Sequence, residues 1–362
     1  MPSYKPTLPH LARPDPATVH LVIAYKNFGA FKGLSHIGLG VTALTNAKIL
    51  NDAGHWTEVW PILSTADLQQ RLVAAQNATP GTPVTHVVVS APWLPTAELS
   101  ALATLFHQVD FTVVSHSNVG FLQADPNGLT LLRQAADLQT GTINTHIGAN
   151  SQKFIRWWEQ VYHQPMRWLP NMYAFSTARH VAQVFQRGGR LRIGSFGAVR
   201  PLKNLLTAGA AALEIANQVQ GDLEFHISSG RAEGGGDTVL RALQAMYEGL
   251  PNARIVFDQW QSWPMFLRVV RSMDLLVQPS YTESFSMVTA DAIGQGVPVV
   301  GSEAIDWLPP HWVADSDDAN EIAGVGTRLL HMPDAIQDGL DALKSHNAAG
   351  LKAWSGMLLR TA

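Results

Sequence analysis

In the segment PSYTESFSMVTADAIGQGVPVV, residues 279–300, two carboxylates, Glu283 and Asp291, stand eight positions apart. The apolar run before Glu283 reads as a strand and the residues after it as a helix. Glu283 then falls at a strand-to-helix turn, and eight helical residues rise about 12 Å, so the two acids can meet different parts of one extended ligand. Ser284, Ser286 and the N–H groups of the helix start can receive anionic or hydroxyl groups. The same spacing also suits an acid stabilised by the helix dipole and a solvent-facing aspartate. A second element, GSFGAVRPLKN over residues 194–204, places Arg200 and Lys203 three apart. It closes a strand and opens a helix, so its cations face the crevice outside the carboxyl ends of an open α/β sheet. A fork-shaped guanidinium and a point-like ammonium make complementary contacts with diphosphate oxygens. Two ordinary basic residues at a solvated helix start would look the same.

These residues need a scaffold, and the chain is long enough to build one: 362 residues predict two domains or one large one at about 150 residues each. VHLVIA from Val19, TEVWPI near Thr57, THVVVSA near Thr85 and DFTVVSH near Asp110 are short apolar runs separated by helix-length segments. The alternation weakens near Asn171 and resumes at RLRIGSFG. From there LEFHISS, ARIVFDQ, DLLVQP and VPVVGS alternate with helical stretches, which predicts a doubly wound parallel sheet. Expected boundaries are 1–173 for a first α/β domain, 174–348 for a second, and 349–362 for a terminal helix whose Leu351, Trp354 and Leu358 lie on one stripe that can pack back on the first domain. The run Gly234–Gly236 reads as a mobile loop rather than a phosphate nest, because it follows RAE without the strand–turn–helix context.

The segment from Pro279 to Val300 resembles the E-x7-E signature of the glycogen-synthase-like and sucrose-synthase-like retaining glycosyltransferases, family 4 of the glycosyltransferases, with Asp291 in the place of the second glutamate. That resemblance implies the GT-B fold, two Rossmann-like doubly wound domains facing across a cleft, with the first on the acceptor side and the second holding a nucleotide sugar. It assigns Glu283 to the donor sugar hydroxyls and Asp291 to the ribose, with Ser284, Phe285 and Ser286 lining the donor. GSFGAVRPLKN is similar to the family's GR.....KG element, whose arginine and lysine stabilise the departing diphosphate. Lys203 stands six residues after Gly197, as the family's lysine does; Ala198 occupies the usual arginine place and Arg200 is a displaced substitute. His116, after DFTVVSH, resembles the family histidine near the donor sugar or its phosphate. The loop FGAFKGLSH resembles the one after the first strand, where Gly33 lets backbone approach the donor; Lys26, Lys32 and His36 are acceptor-side or phosphate-side candidates. QWQSWP resembles the loop that holds the base, giving Gln259 and Trp260 with Trp263 as a further apolar wall. THIGANSQKF resembles the end of the first domain, with Ser151 as an N-cap.

The implied activity is transfer of a sugar from a nucleotide diphosphate sugar to a hydroxyl acceptor with retention, without metal or other cofactor. Two alternatives remain: a GT-B-like nucleotide-sugar isomerase or phosphorylase, the latter disfavoured by the lack of a recognised pyridoxal lysine segment, and a non-catalytic sugar-nucleotide-binding scaffold. A net charge of -3 without long runs of either sign argues against nucleic-acid binding by charge. Absence of cysteine excludes thiolate chemistry and suits a reducing compartment. Met1 to Thr18 carry no apolar core, so no secretory signal is expected, and no apolar run reaches spanning length. The expected location is cytoplasmic. Charged residues at 15%, well under the usual quarter, leave peripheral attachment at the inner face of a membrane open beside the preferred reading of ordinary packing. Asp315, Asp317 and Asp318 are expected to form a solvated loop away from the donor strand ends. His146 and His163 lack zinc-binding spacing.

Overall fold

The computed structural model of the protein describes residues 19–27, 37–78, 83–123, 126–141, 144–175 and 189–359. The chain divides into two compact units: Met1–His116 with Asn127–Ala174 and Leu351–Ala362, and Ser117–Pro126 with Phe175–Gly350.

The first unit is built on a parallel sheet of β1 (His20–Lys26), β2 (Trp56–Ile62), β3 (His86–Ser90), β4 (Asp110–Ser115), β5 (Thr145–Ala149) and β6 (Arg167–Trp168), in the order β2-β1-β3-β4-β5-β6. In register, Ile23 lies between Val59 and Val88. Leu21, Ile23, Val88 and Val114 of this sheet share one core with Ala43, Ala47 and Leu50 of the helix Ile37–Asp52. The same core takes in Trp354, Met357 and Leu358 from the end of the chain, and the Trp354 indole donates to the carbonyl of Pro170 at 2.9 Å. The terminal helix begins at Ala335 and runs to Leu359, well before the expected start at Ala349. Pro333 and Asp334 are its start signal, while interior glycines weakened the pattern. One of them, Gly339, has no room for a side chain because the Trp312 ring presses on its Cα.

The second unit carries β7 (Arg190–Ser195), β8 (Asp222–Ser228), β9 (Ala253–Asp258), β10 (Leu275–Gln278) and β11 (Val299–Gly301), all parallel, in the order β11-β10-β7-β8-β9. The helices Leu205–Val219, Gly236–Tyr247, Trp263–Arg271 and Met287–Gly294 connect them. β10 is buried throughout, which is why it reads as a continuous apolar run, whereas the first half of β7 alternates exposed Arg190 and Arg192 with buried Leu191 and Ile193. From β7 the chain builds outward through β8 and β9, then returns to the other side of β7 to lay down β10 and β11. The winding therefore reverses between β7 and β10, and open α/β sheets bind ligands outside the carboxyl ends of the strands at such a reversal.

Candidate active site

GSFGAVRPLKN leaves the end of β7 and PSYTESF the end of β10, so topology brings the two chemistry-bearing segments to one crevice of the second unit. The loops are tied by backbone: Tyr281 N–H donates to the carbonyl of Leu202 at 3.1 Å. Asn204 adopts φ 55°, and its side-chain amide donates to the carbonyls of Ser316 at 2.6 Å and Pro279 at 3.3 Å while accepting from Thr207 Oγ1 at 2.7 Å. On this base Lys203 Nζ meets Glu283 Oε1 at 2.5 Å, with the two side chains only 16% and 10% exposed. Residues 80 positions apart in sequence thus form one largely desolvated ion pair. Lysine has three N–H donors and a carboxylate two oxygens, so neither partner is exhausted by the other.

Arg200 is held differently. Its Nε lies 3.2 Å from Glu233 Oε2, and its guanidinium sits 5.2 Å from the ring of Phe121, a residue of the Ser117–Pro126 segment that belongs to the second unit. Glu233 Oε1 in turn accepts from Arg231 Nε at 2.6 Å, and the Arg231 guanidinium lies 5.3 Å over the Trp260 ring. Sequence reasoning passed over Arg231 and Glu233. The available signal was their position just beyond β8, the strand next to β7, whose carboxyl end opens on the same side. Nor is the glycine run after them the free loop expected. Val199 N–H donates to Arg231 O at 3.0 Å and Glu233 N–H to Val199 O at 2.9 Å, so the segment is docked on the loop after β7. A Cβ at Gly236 would strike the carbonyl of Val199, and Gly234 and Gly235 take positive φ of 52° and 94°. Glycine is required there by close approach and by left-handed backbone.

Asp291 is buried inside the helix Met287–Gly294, and Trp263 Nε1 donates to its Oδ1 at 2.9 Å. Trp263 is therefore a hydrogen-bond donor to the second acid rather than only an apolar wall. Phe285 is buried, stacked on Trp307 at 5.4 Å and against His346 at 5.2 Å, with its carbonyl taking the Trp307 indole N–H at 2.6 Å. Its side chain packs in the core of the second unit. Ser286 holds φ 62° and ψ 79°, costly for a residue with a Cβ, and its hydroxyl pairs with Thr289 Oγ1 at 2.9 Å. Ser284 is half-buried, while Gln259 and Trp260 are exposed on the loop after β9. The aspartate run also needs correction. Tyr281 Oη donates to Asp317 at 2.7 Å and Asn204 to Ser316, so the run touches the loops after β7 and β10, while Asp318 caps the helix Ala319–His331.

In the first unit His116 follows β4. Its Nε2 lies 2.9 Å from Ser90 Oγ, and Asn150 Nδ2 lies 3.4 Å from its Nδ1. Burial pushes its pKa from 6.5 down to about 4, so the ring is neutral at pH 7. Between those values the unfolded chain binds a proton that the folded one refuses, so stability falls as pH drops through this window, by up to about 3 kcal/mol. Replacing it, His116→Gln, should flatten that slope: urea midpoints of wild type and variant will diverge between pH 7 and about pH 4.5. Parallel midpoints would mean that the folded ring titrates normally. Lys26, at the end of β1, lies 5.7 Å over the Trp93 ring. Ser151 caps the helix Gln152–Tyr162 through Phe154 N–H. Gly33, Lys32 and His36 lie outside the described residues. His146 pairs with Asp110 at 3.1 Å and His163 caps a helix end at φ 53°. Among the described residues no group of three or more His, Asp or Glu side chains is arranged to hold a metal ion, and no helix is long and apolar enough to cross a membrane.

Residues 190–340, the sheet and loops just described, match the family model of glycosyl transferases group 1. The match takes in 151 of the chain's 362 residues. No curated protein matches the chain by sequence. Solved structures share its fold, GT-B, at low identity. Sucrose-phosphate synthase from Thermosynechococcus elongatus is 17% identical with a TM-score of 0.61, covering 94% of this chain and 98% of its own. Anabaena HepE, crystallised with UDP and glucose, is 14% identical with a TM-score of 0.59, covering 93% and 100%. TarM of S. aureus, in complex with Fondaparinux, alpha-GlcNAc-glycerol and UDP, is 13% identical with a TM-score of 0.55 over 81% of this chain, which spans 58% of the length of TarM. In the matched stretch, the loops that converge are those following β7, β8 and β10.

Proposed function

We propose that the protein transfers a sugar from a nucleoside diphosphate donor to a hydroxyl acceptor with retention of anomeric configuration and without a metal ion. The observation that carries this is the Lys203–Glu283 pair at the winding reversal of the second unit. Breaking a glycosidic phosphate bond leaves charge on the diphosphate while the sugar gains oxocarbenium character. A fixed cation in a site with little water stabilises that charge without reorganising. Lys203 is such a cation: Glu283 fixes its ammonium, and its remaining N–H donors are available to phosphate oxygens. The second Glu283 oxygen can hold a sugar hydroxyl, so one ion pair orients leaving group and sugar together. Arg200 adds a second positive group, and the two cations supply the neutralisation that a divalent ion would otherwise provide. No carboxylate is placed for a covalent step in this reading, so the acceptor arrives on the face the diphosphate leaves, and the departing phosphate takes the acceptor proton. UDP in the HepE and TarM crystals supports a nucleoside diphosphate as the leaving group.

The test is incubation with UDP-, GDP- and ADP-sugars, scoring donor cleavage by mass and the anomer of the product by NMR. Release of nucleoside diphosphate with a retained anomer is expected. An inverted product, or no cleavage of any donor by folded protein, overturns the reading.

Asp291 is assigned to the ribose hydroxyls, with Trp263 holding its carboxylate. Removing the indole N–H, Trp263→Phe, should raise donor KM about tenfold, the size of one hydrogen bond to a charged group, and leave kcat near wild type. If the same substitution raises KM equally for a donor lacking the ribose 2′ and 3′ hydroxyls, Asp291 does not act on the ribose.

A further inference from the structure

We propose that Arg231 is a second arginine for the donor diphosphate and that Glu233 is the positioning residue that holds Arg200 and Arg231 as a pair. The inference rests on the donor reading above and adds to it two residues from the segment after β8. Three observations carry it. Glu233 takes Arg231 Nε on Oε1 at 2.6 Å and faces Arg200 Nε with Oε2 at 3.2 Å, so two guanidiniums flank one carboxylate. The three side chains are 27%, 21% and 35% exposed for Arg200, Arg231 and Glu233, neither swallowed by the core nor free in solvent. The segment cannot drift from the loop after β7, because the Val199 backbone bonds and the contact at Gly236 pin it there.

Two guanidiniums brought this close repel each other, and in a partly desolvated crevice that repulsion is weakly screened. A single carboxylate offsets it and leaves the trio with one net positive charge. An arginine fork can hold a carboxylate along one edge and a phosphate along another, so Glu233 can stay in place while a ligand binds. The trio also accounts for the sequence. Ala198, in the loop after β7, is buried and uncharged, so the cations of this loop cluster come from other positions. Arg200 approaches from the loop after β7, and Arg231 from the loop after β8. The Arg231 guanidinium lies 5.3 Å over the Trp260 ring, which links the cation to the loop after β9.

The experiment is calorimetric binding of UDP, GDP, ADP, UMP and inorganic pyrophosphate to the full chain and its variants, with thermal midpoints recorded alongside. Wild type should bind at least one nucleoside diphosphate, and Lys203→Ala should weaken it. Arg231→Ala should weaken the same diphosphate about 30-fold, the size of a lost charge-assisted hydrogen bond, and weaken UMP less. Arg231→Lys should restore only part of the loss, because an ammonium lacks the fork. Glu233→Gln provides the sharpest outcome. If the carboxylate merely opposed an anion, neutralising it would tighten diphosphate binding; if it positions the pair, binding weakens although a negative charge has been removed. Coupling between Arg200→Ala and Glu233→Gln should be non-additive, whereas Arg231→Ala should not lower the thermal midpoint by more than a few degrees. Diphosphate binding that depends on Lys203 but not on Arg231, or that tightens in Glu233→Gln, overturns this inference and leaves the donor reading standing. Failure of wild type to bind any of the diphosphates overturns both.

Discussion

Lys203→Ala is expected to lower kcat for sugar transfer by about 100- to 1,000-fold, the loss seen when one preorganised electrostatic donor is removed from a transition state. Donor KM should change far less, because the charge that Lys203 meets is greatest as the diphosphate departs. The substitution has a second consequence. Glu283 is only 10% exposed and loses its cation, and uncovering one half of a buried pair typically costs about 3–5 kcal/mol. Some water reaches both side chains, so the lower end of that range applies. The two effects separate in the double variant Lys203→Ala with Glu283→Gln. Its thermal midpoint should recover relative to Lys203→Ala because no charge is left uncompensated, while its turnover stays low. Lys203→Arg keeps a cation on a longer, planar head and should retain partial turnover. Single-turnover kinetics on folded variants is the deciding measurement. Near-wild-type turnover in Lys203→Ala would remove the leaving-group role and leave the pair as a purely structural tie between the loops after β7 and β10.

What the sequence could and could not disclose follows from how locally each feature is encoded. β10 and β11 are legible as short apolar runs because every residue in them is buried, and β7 to β9 because apolar residues recur in them between helix-length segments. β5 is not: THIGA mixes a glycine and polar residues into a strand whose Thr145 is fully buried. β6, two residues long, has no pattern at all. The types and spacing of Arg200, Lys203, Glu283 and Asp291 could be read from two short segments, but their partners could not. The expected division of labour put Lys203 on the diphosphate and Glu283 on the sugar. That they clasp one another is a consequence of the strand order, which sets β10 beside β7. Arg231 and Glu233 lie in a segment with no motif spacing; its glycines answer to the approach of the Val199 carbonyl at Gly236 and to left-handed backbone at Gly234 and Gly235. Phe285 lies inside a recognisable pattern, but its contacts with Trp307 and His346, distant in sequence, are not legible there.

Long-range packing of the same kind sets the second large effect. Trp354 is 2% exposed in the core that Leu21, Ile23, Leu50, Val88 and Met172 build in the first unit. A tryptophan cut to alanine in such a place leaves a cavity that the sheet and helix Ile37–Asp52 can only partly close, so Trp354→Ala should cost about 3–5 kcal/mol. It also leaves the Pro170 carbonyl without its indole donor. Trp354→Phe isolates that term: the ring still fills most of the space, and the lost hydrogen bond should account for about 1–2 kcal/mol. Leu359→Ala, at a residue 69% exposed on the same helix, is the control and should stay within about 0.5 kcal/mol of wild type. Urea unfolding gives the totals, and amide exchange locates them: protection should fall first in β1 and β3, while β7 and β8 of the other unit keep theirs. The physical reason is that Leu21 and Ile23 of β1 share one core with Trp354, Met357 and Leu358, more than 300 residues along the chain. Unchanged exchange in β1 of Trp354→Ala would mean that the sheet and helix Ile37–Asp52 suffice on their own, and that the final residues cover a core already complete.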